Sequence, residues 1–188
     1  MRDSQPTDHR VVALLRGINV GGRHKVPMAA LRDLAQSAGL VDVQTYIQSG
    51  NLMASDPLHR PLDDLGELLS VALQDEFGFV VPVVMVRTDR LTQVLAACPW
   101  PDVEDPRCVH GVFYPQIAPP EMRERAAALM TPHDVDQIDF DGEVLWLHTP
   151  SGLSASRVAE RVMQLSLPDG RRGTARNLRS LREIKARI

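Results

Sequence analysis

"VQTYIQSGNLMAS", residues 43–55, decides the fold. Two runs of strand composition, VQTYIQ and NLMAS, flank Ser49-Gly50, and Gly50 with Asn51 supplies the positive φ angles that a tight turn needs. A hairpin here means that two consecutive strands pair directly, without a helix between them. Upstream, "VVALLRGI" (11–18) is apolar on both alternating faces through Leu15, the pattern of a strand inside a sheet. Pro27 then opens a helix with the apolar stripe Met28, Leu31, Leu34, Ala35 and Ala38, which Gly39 ends. Downstream, a helix from about Leu62 to Phe77 carries Leu65, Leu68, Leu69, Ala72 and Leu73 on one face, with Gly78 as its stop. "VVPVVMV" (80–86) returns as a strand, and Pro82 marks it as an edge.

The order is strand, helix, strand, strand, helix, strand, that of a ferredoxin-like α/β plait. After a helix near 91–98 and the proline-rich "CPWPDVEDP", it starts again. Strand "CVHGVFY" (108–114) precedes a helix at 119–130, then "QIDF", an Asp141-Gly142 turn, "EVLWLHT" and a helix at 154–167. A short strand around Gly173 to Asn177 leads into an amphipathic helix with Leu178, Leu181, Ile184 and Ile188 inward. The expected class is therefore α+β, with two tandem ferredoxin-like (βαββαβ) domains. The expected layout is a flexible N-terminus (1–10), a first domain (11–90), a connecting helix and linker (91–106), and a second domain (107–188) ending in a basic amphipathic helix. The alternative is one larger α+β domain.

Composition fits this size. Hydrophobic residues make up 44% of 188, enough for ordinary cores, and no apolar run reaches membrane-spanning length. The expectation is a cytoplasmic protein with no membrane partner. Cys98 and Cys108 have neither CxxC spacing nor a neighbouring histidine, so they read as buried thiols. The net charge of −3 is uneven: residues 157–188 carry eight Arg and one Lys against Glu160, Asp169 and Glu183. The C-terminus is a basic island in an acidic chain.

Residues 14–56 resemble the opening of a bacterial family catalogued as domain of unknown function 1697. The matching stretches are "LLRGINVGG", Lys25-Val26-Pro27-Met28 leading into the helix, and "TYIQSGN". "GTARNLRSL" resembles that family's closing motif, in which an aromatic residue usually follows Asn; here Leu178 does. The resemblance covers nearly the whole chain. It implies two ferredoxin-like domains and brings no assigned activity.

Four places carry chemistry worth testing. In the first, the amides of Gly17, Gly21 and Gly22 can cradle an anion, with Arg16, Asn19 and Lys25 beside them. "GINVGGRHK" matches neither the GxxxxGK[ST] loop nor GxGxxG, and glycines that merely turn the chain, with Asn19 bonding its own backbone, are the plainer reading. The second is "TYIQSGN", with Tyr46, Ser49 and Asn51. Ser49 lacks a GxSxG elbow and a neighbouring histidine base, so a hairpin turn suffices. Taking the first and third strands as parallel neighbours, these two motifs are expected at opposite ends of the sheet.

The third place is Thr174, Arg176 and Asn177, which can bind phosphate, or in which Asn177 simply caps the last helix. The fourth comes from strand parity: His110, Tyr114, Trp146 and His148 are expected to share the open face of the second sheet, where RNA-binding plaits stack bases. Neither half carries the RNP1 string, and packing is the simpler account of that patch. "HDVDQIDFDG" fails as a calcium loop because Ile138 occupies its third ligand position, and the six histidines show no HxxxH or HExxH spacing. No metal site and no cofactor are predicted.

The leading expectation is a binding protein for an anionic ligand, either a nucleotide, a phosphorylated metabolite or a nucleic acid. The competing classes are an enzyme acting on such a ligand through Tyr46 or Ser49, and a structural or interaction module. A second copy of the chain is a further expected partner.

Overall fold

The computed structural model describes residues 9–188. The N-terminal segment read as flexible thus lies, through residue 8, outside the described residues, while Arg10 already opens the first strand. The chain divides into two compact units, one running to Thr92 and including Arg187 and Ile188, the other Gln93–Ala186. It is mixed α+β, with two four-stranded antiparallel sheets and six helices among the described residues.

In the first unit the elements are β1 (Arg10–Leu15), α1 (Met28–Ser37), β2 (Val41–Tyr46), β3 (Asn51–Ser55), α2 (Leu62–Phe77) and β4 (Val83–Arg87), with α3 (Thr88–Ala96) following directly. The sheet order is β2-β3-β1-β4, so β1 is central and β4, just after Pro82, is an edge. Val11, Ala13 and Leu15 of β1 share a face with Leu52 and Ala54 of β3, and this face packs on Leu31 and Ala35 of α1 and Leu65, Leu69 and Leu73 of α2. These are helical i, i+4 spacings laid against a period-of-two strand pattern, which is why both periodicities are legible in the sequence. Leu68 departs from the expected stripe: it is 41% exposed, one residue off the face that Leu65 and Leu69 bury.

The hairpin is looser than the sequence suggests. Tyr46 pairs with Asn51, so four residues, Ile47 to Gly50, make the connection. The left-handed residues are Ile47 (φ 50°) and Gly50 (φ 77°), whereas Asn51 belongs to the strand.

The second unit repeats the pattern with β5 (Val109–Phe113), α4 (Pro120–Ala127), β6 (Gln137–Asp141), β7 (Val144–His148), α5 (Arg157–Val162) preceded by a 3-10 turn at Leu153–Ala155, β8 (Thr174–Asn177) and α6 (Leu178–Lys185). Its sheet order is β6-β7-β5-β8. One face, Val112, Leu145 and Leu147, packs on Met122 and Ala126 of α4 and Val158 and Val162 of α5. The other face is not open, contrary to expectation. A Cβ built on Gly111 of β5 would lie 3.4 Å from both Leu181 of α6 and Trp146 of β7, so the last helix lies against this face.

Among the described residues no helix is long and apolar enough to cross a membrane.

Candidate functional site

The loop after β1 is held by one side chain. Asn19 sits in the left-handed region at φ 54°, which asparagine tolerates better than most residues. Its Oδ1 accepts from the Val26 N–H at 3.0 Å, and its Nδ2 donates to the Val26 carbonyl at 3.0 Å and to the Gln48 carbonyl at 2.8 Å. Its own N–H donates to the His24 carbonyl at 3.1 Å. His24 in turn places Nδ1 3.2 Å from the Gly17 carbonyl and stacks its ring on Phe79. Residues 17–26 therefore form a closed loop clamped at its neck, with Gly17, Gly21, Gly22 and Lys25 exposed on it. Arg16 is half-buried at the loop's root, where its N–H donates to the Pro82 carbonyl at 2.9 Å.

The expectation that this loop and the hairpin turn lie at opposite ends of the sheet is wrong. β1 and β3 are antiparallel, with Leu14 opposite Asn51 and the Leu15 N–H donating to the Gly50 carbonyl at 2.9 Å. The α1 crossover makes β2 run in the same direction as β1, and the hairpin then reverses β3, which is the strand inserted beside β1. The end of β1 and the start of β3 consequently coincide, and Asn19 bonds the turn directly.

A pocket of 380 Å³ lies between them, lined by Asn19, Gly22, Lys25, Val26, Pro27 and Gln48. Pro27 is the N-cap of α1, which has no side-chain cap and no acidic residue in its first turn. The lining contains no carboxylate. Lys25 is exposed and makes no ion pair or hydrogen bond among the described residues. Gln48 was not singled out from sequence, and Pro27 only as the residue that opens α1. Ser49, Asn51 and Tyr46 are tied to the turn itself: Asn51 Nδ2 donates to the Tyr46 carbonyl at 3.1 Å and to Ser49 Oγ at 3.0 Å.

In the second unit, Thr174 and Arg176 of β8 lie opposite Phe113 and Gly111 of β5. Arg176 is 7% exposed, and its Nη1 donates to Thr174 Oγ1 at 2.9 Å and to the Ala175 carbonyl at 2.8 Å. Burial pushes its pKa down to about 10, so it stays a cation at neutral pH. Asn177 Oδ1 accepts from the Ser180 N–H at 2.8 Å and so caps α6.

The four-residue aromatic patch does not form. His110 lies opposite Leu147 and Trp146 opposite Gly111, and directly opposed residues share a face. His110 and Tyr114 thus belong to the face packed on α4 and α5, Trp146 and His148 to the opposite face. The parity of each strand was legible, but the register between them was one residue out, and a one-residue slip exchanges faces. Trp146 and Tyr114 are fully buried. His148 lies near Trp100, with ring centroids 5.4 Å apart. Cys98 is buried, whereas Cys108 is only half-buried, and both are free thiols. Among the described residues no group of three or more His, Cys, Asp or Glu side chains is placed to hold a metal.

No curated protein matches the chain. A solved structure, that of conserved bacterial protein SP0830 from Streptococcus pneumoniae, is similar to it, with a TM-score of 0.70 and 24% identity over 94% of this chain and 97% of that one. The likeness is one of fold. The sequence profile described as Protein of unknown function (DUF1697) matches residues 9–146. The clamped glycine loop, the proline-opened helix and the adjoining hairpin all fall within that span, and the chain belongs to the DUF1697 family.

Proposed function

We propose that this protein binds a small phosphate-bearing ligand, a nucleotide or phosphorylated metabolite, in the pocket between the glycine loop and the hairpin turn of its first unit. We take each unit to be a ferredoxin-like plait, a reading supported by the strand orders β2-β3-β1-β4 and β6-β7-β5-β8. The observation that carries the function is Lys25, unpartnered among the described residues, beside the uncapped N-terminus of α1 in a pocket whose lining holds no carboxylate. The positive end of the helix dipole and one cation together suit an oxyanion. Asn19 fixes the pocket's shape, its polar atoms being taken up by backbone groups.

The test is a titration with inorganic phosphate, AMP and a sugar phosphate, followed by calorimetry. Lys25→Ala is expected to weaken binding roughly tenfold and Lys25→Glu to abolish it, since a charge-assisted hydrogen bond contributes about 1.5–3 kcal/mol. Equal affinity in Lys25→Glu and the natural protein would sink the assignment. A second reading, an interaction module without such a ligand, is favoured by the way Asn19 and Asn51 bond within their own turns. It predicts no binding of any of the three probes.

A further inference from the structure

The second unit contains a pocket of 870 Å³ lined by α6, by the turns before β5 and by the end of β7, separate from the loop pocket and independent of its ligand. Six charged side chains line it, three arginines and three carboxylates, and their existing partners decide what charge is left for a ligand. Arg107 is chelated by Asp105: its Nε lies 3.0 and 3.1 Å from the two carboxylate oxygens and its Nη2 2.9 Å from one of them. Glu183 also has a partner. Arg182 donates to the Pro101 backbone carbonyl, a neutral acceptor that leaves its charge unopposed. The exposed Arg179 guanidinium makes no hydrogen bond or ion pair among the described residues, and Asp105, which feels its charge, is closed on Arg107. Glu104 is exposed and equally unpaired among the described residues. Two cations and one anion are therefore uncommitted.

That set selects a zwitterion with two negative groups and one positive one. Arg179 stands in the first turn of α6, which holds no acidic residue, at the helix end where a cation is disfavoured. An anion bound there relieves both the dipole and the like charge of Arg182. The two arginines are three positions apart on one helix, so their Cβ atoms stand about 5–6 Å apart. The two carboxyl carbons of a glutamate with a free C-terminus are separated by four C–C bonds, about 5 Å when extended, which matches that spacing. A lone phosphate would meet both arginines but face Glu104 unpaired. The volume is that of a small-molecule site, with room for a short peptide.

We propose that this pocket binds glutamate, free or as the last residue of a short peptide, with its two carboxylates on Arg179 and Arg182 and the ammonium on Glu104. The probes are glutamate, the dipeptide Ala-Glu, glutamine, glutarate and inorganic phosphate, each titrated into the full chain and followed by calorimetry. Glutamate and Ala-Glu are expected to bind saturably, and the tighter of the two identifies the form the pocket takes. Glutamine, which lacks one carboxylate, and glutarate, which lacks the ammonium, are expected to bind at least about tenfold more weakly. Arg179→Gln and Arg182→Gln should each weaken glutamate about tenfold, whereas Glu104→Gln should weaken glutamate and strengthen glutarate. Lys25→Ala, in the first unit, should change neither. The proposal is overturned if neither glutamate nor Ala-Glu binds saturably, if glutarate or phosphate binds as well as they do, or if Arg179→Gln leaves their affinity unchanged. The comparison among probes needs no substitution, so it stands even if a variant does not fold.

Discussion

Gly50 shows how closely the two motifs of the first unit depend on each other. Its φ of 77° lies where side chains with a Cβ are strained, and a Cβ there would fall 2.7 Å from Leu15 Cβ and 2.8 Å from Ile18 Cδ1. Both clashes come from β1 and the loop after it, so this glycine is what lets the hairpin turn close against the end of the central strand. Gly50→Ala is expected to cost roughly 2–4 kcal/mol, the sum of a left-handed penalty and overpacking. Urea unfolding of the first unit, followed by amide NMR signals of β1 and β3, measures it, and a loss below about 0.5 kcal/mol would mean the turn gives way without resistance. The sequence marks Gly50 as a turn residue but says nothing of its neighbours. It also assigns the second positive φ to Asn51, whereas Ile47 takes it while 49% exposed. Asparagine's ordinary preference yielded to a pairing in which its side-chain amide secures the loop from within the strand.

At the level of elements, helices and strand parity are legible in the sequence, while strand direction and register are not. The stripe Leu178, Leu181 and Ile184 is buried as its spacing requires, because helical periodicity is a property of one segment. The placement of the candidate residues depends on pairs of segments. Lys25 and Gln48 line one pocket only because β3 runs antiparallel to β1, and His110 leaves Trp146 only because Gly111 is the residue opposite it. Asn177, by contrast, was readable as a cap from local order alone. Asn177→Ala should cost about 1 kcal/mol, and Asn177→Asp should retain or slightly raise stability, since a carboxylate also caps and meets the positive end of the helix. Both tryptophans, Trp100 and Trp146, belong to the second unit, so their fluorescence during urea unfolding reports on this helix's host. Equal stability in Asn177→Ala would show that the cap contributes nothing.

For the molecule as a whole, the consequential buried group is again His110. In the unfolded chain it titrates near pH 6.5, but burial depresses it to about 4 in the fold. Between these values the unfolded state binds more protons than the folded one, so stability falls as the pH is lowered. The contribution is complete above pH 6.5 and shrinks as pH drops through the window to about 4, a loss of roughly 3 kcal/mol at 1.36 kcal/mol per unit. The exposed carboxylates Asp105, Asp134 and Asp169 also favour the fold, each held below its usual range by hydrogen bonds from neighbouring groups. Their effect fades only as pH falls below about 4, outside the histidine's window. Tryptophan-detected urea unfolding at intervals from pH 7 to pH 4 should thus give a second-unit stability that declines with acid, and a His110→Gln protein whose curve is nearly flat over the same range. A natural protein equally stable at pH 4.5 and pH 7 would mean that the imidazole is solvated in the fold.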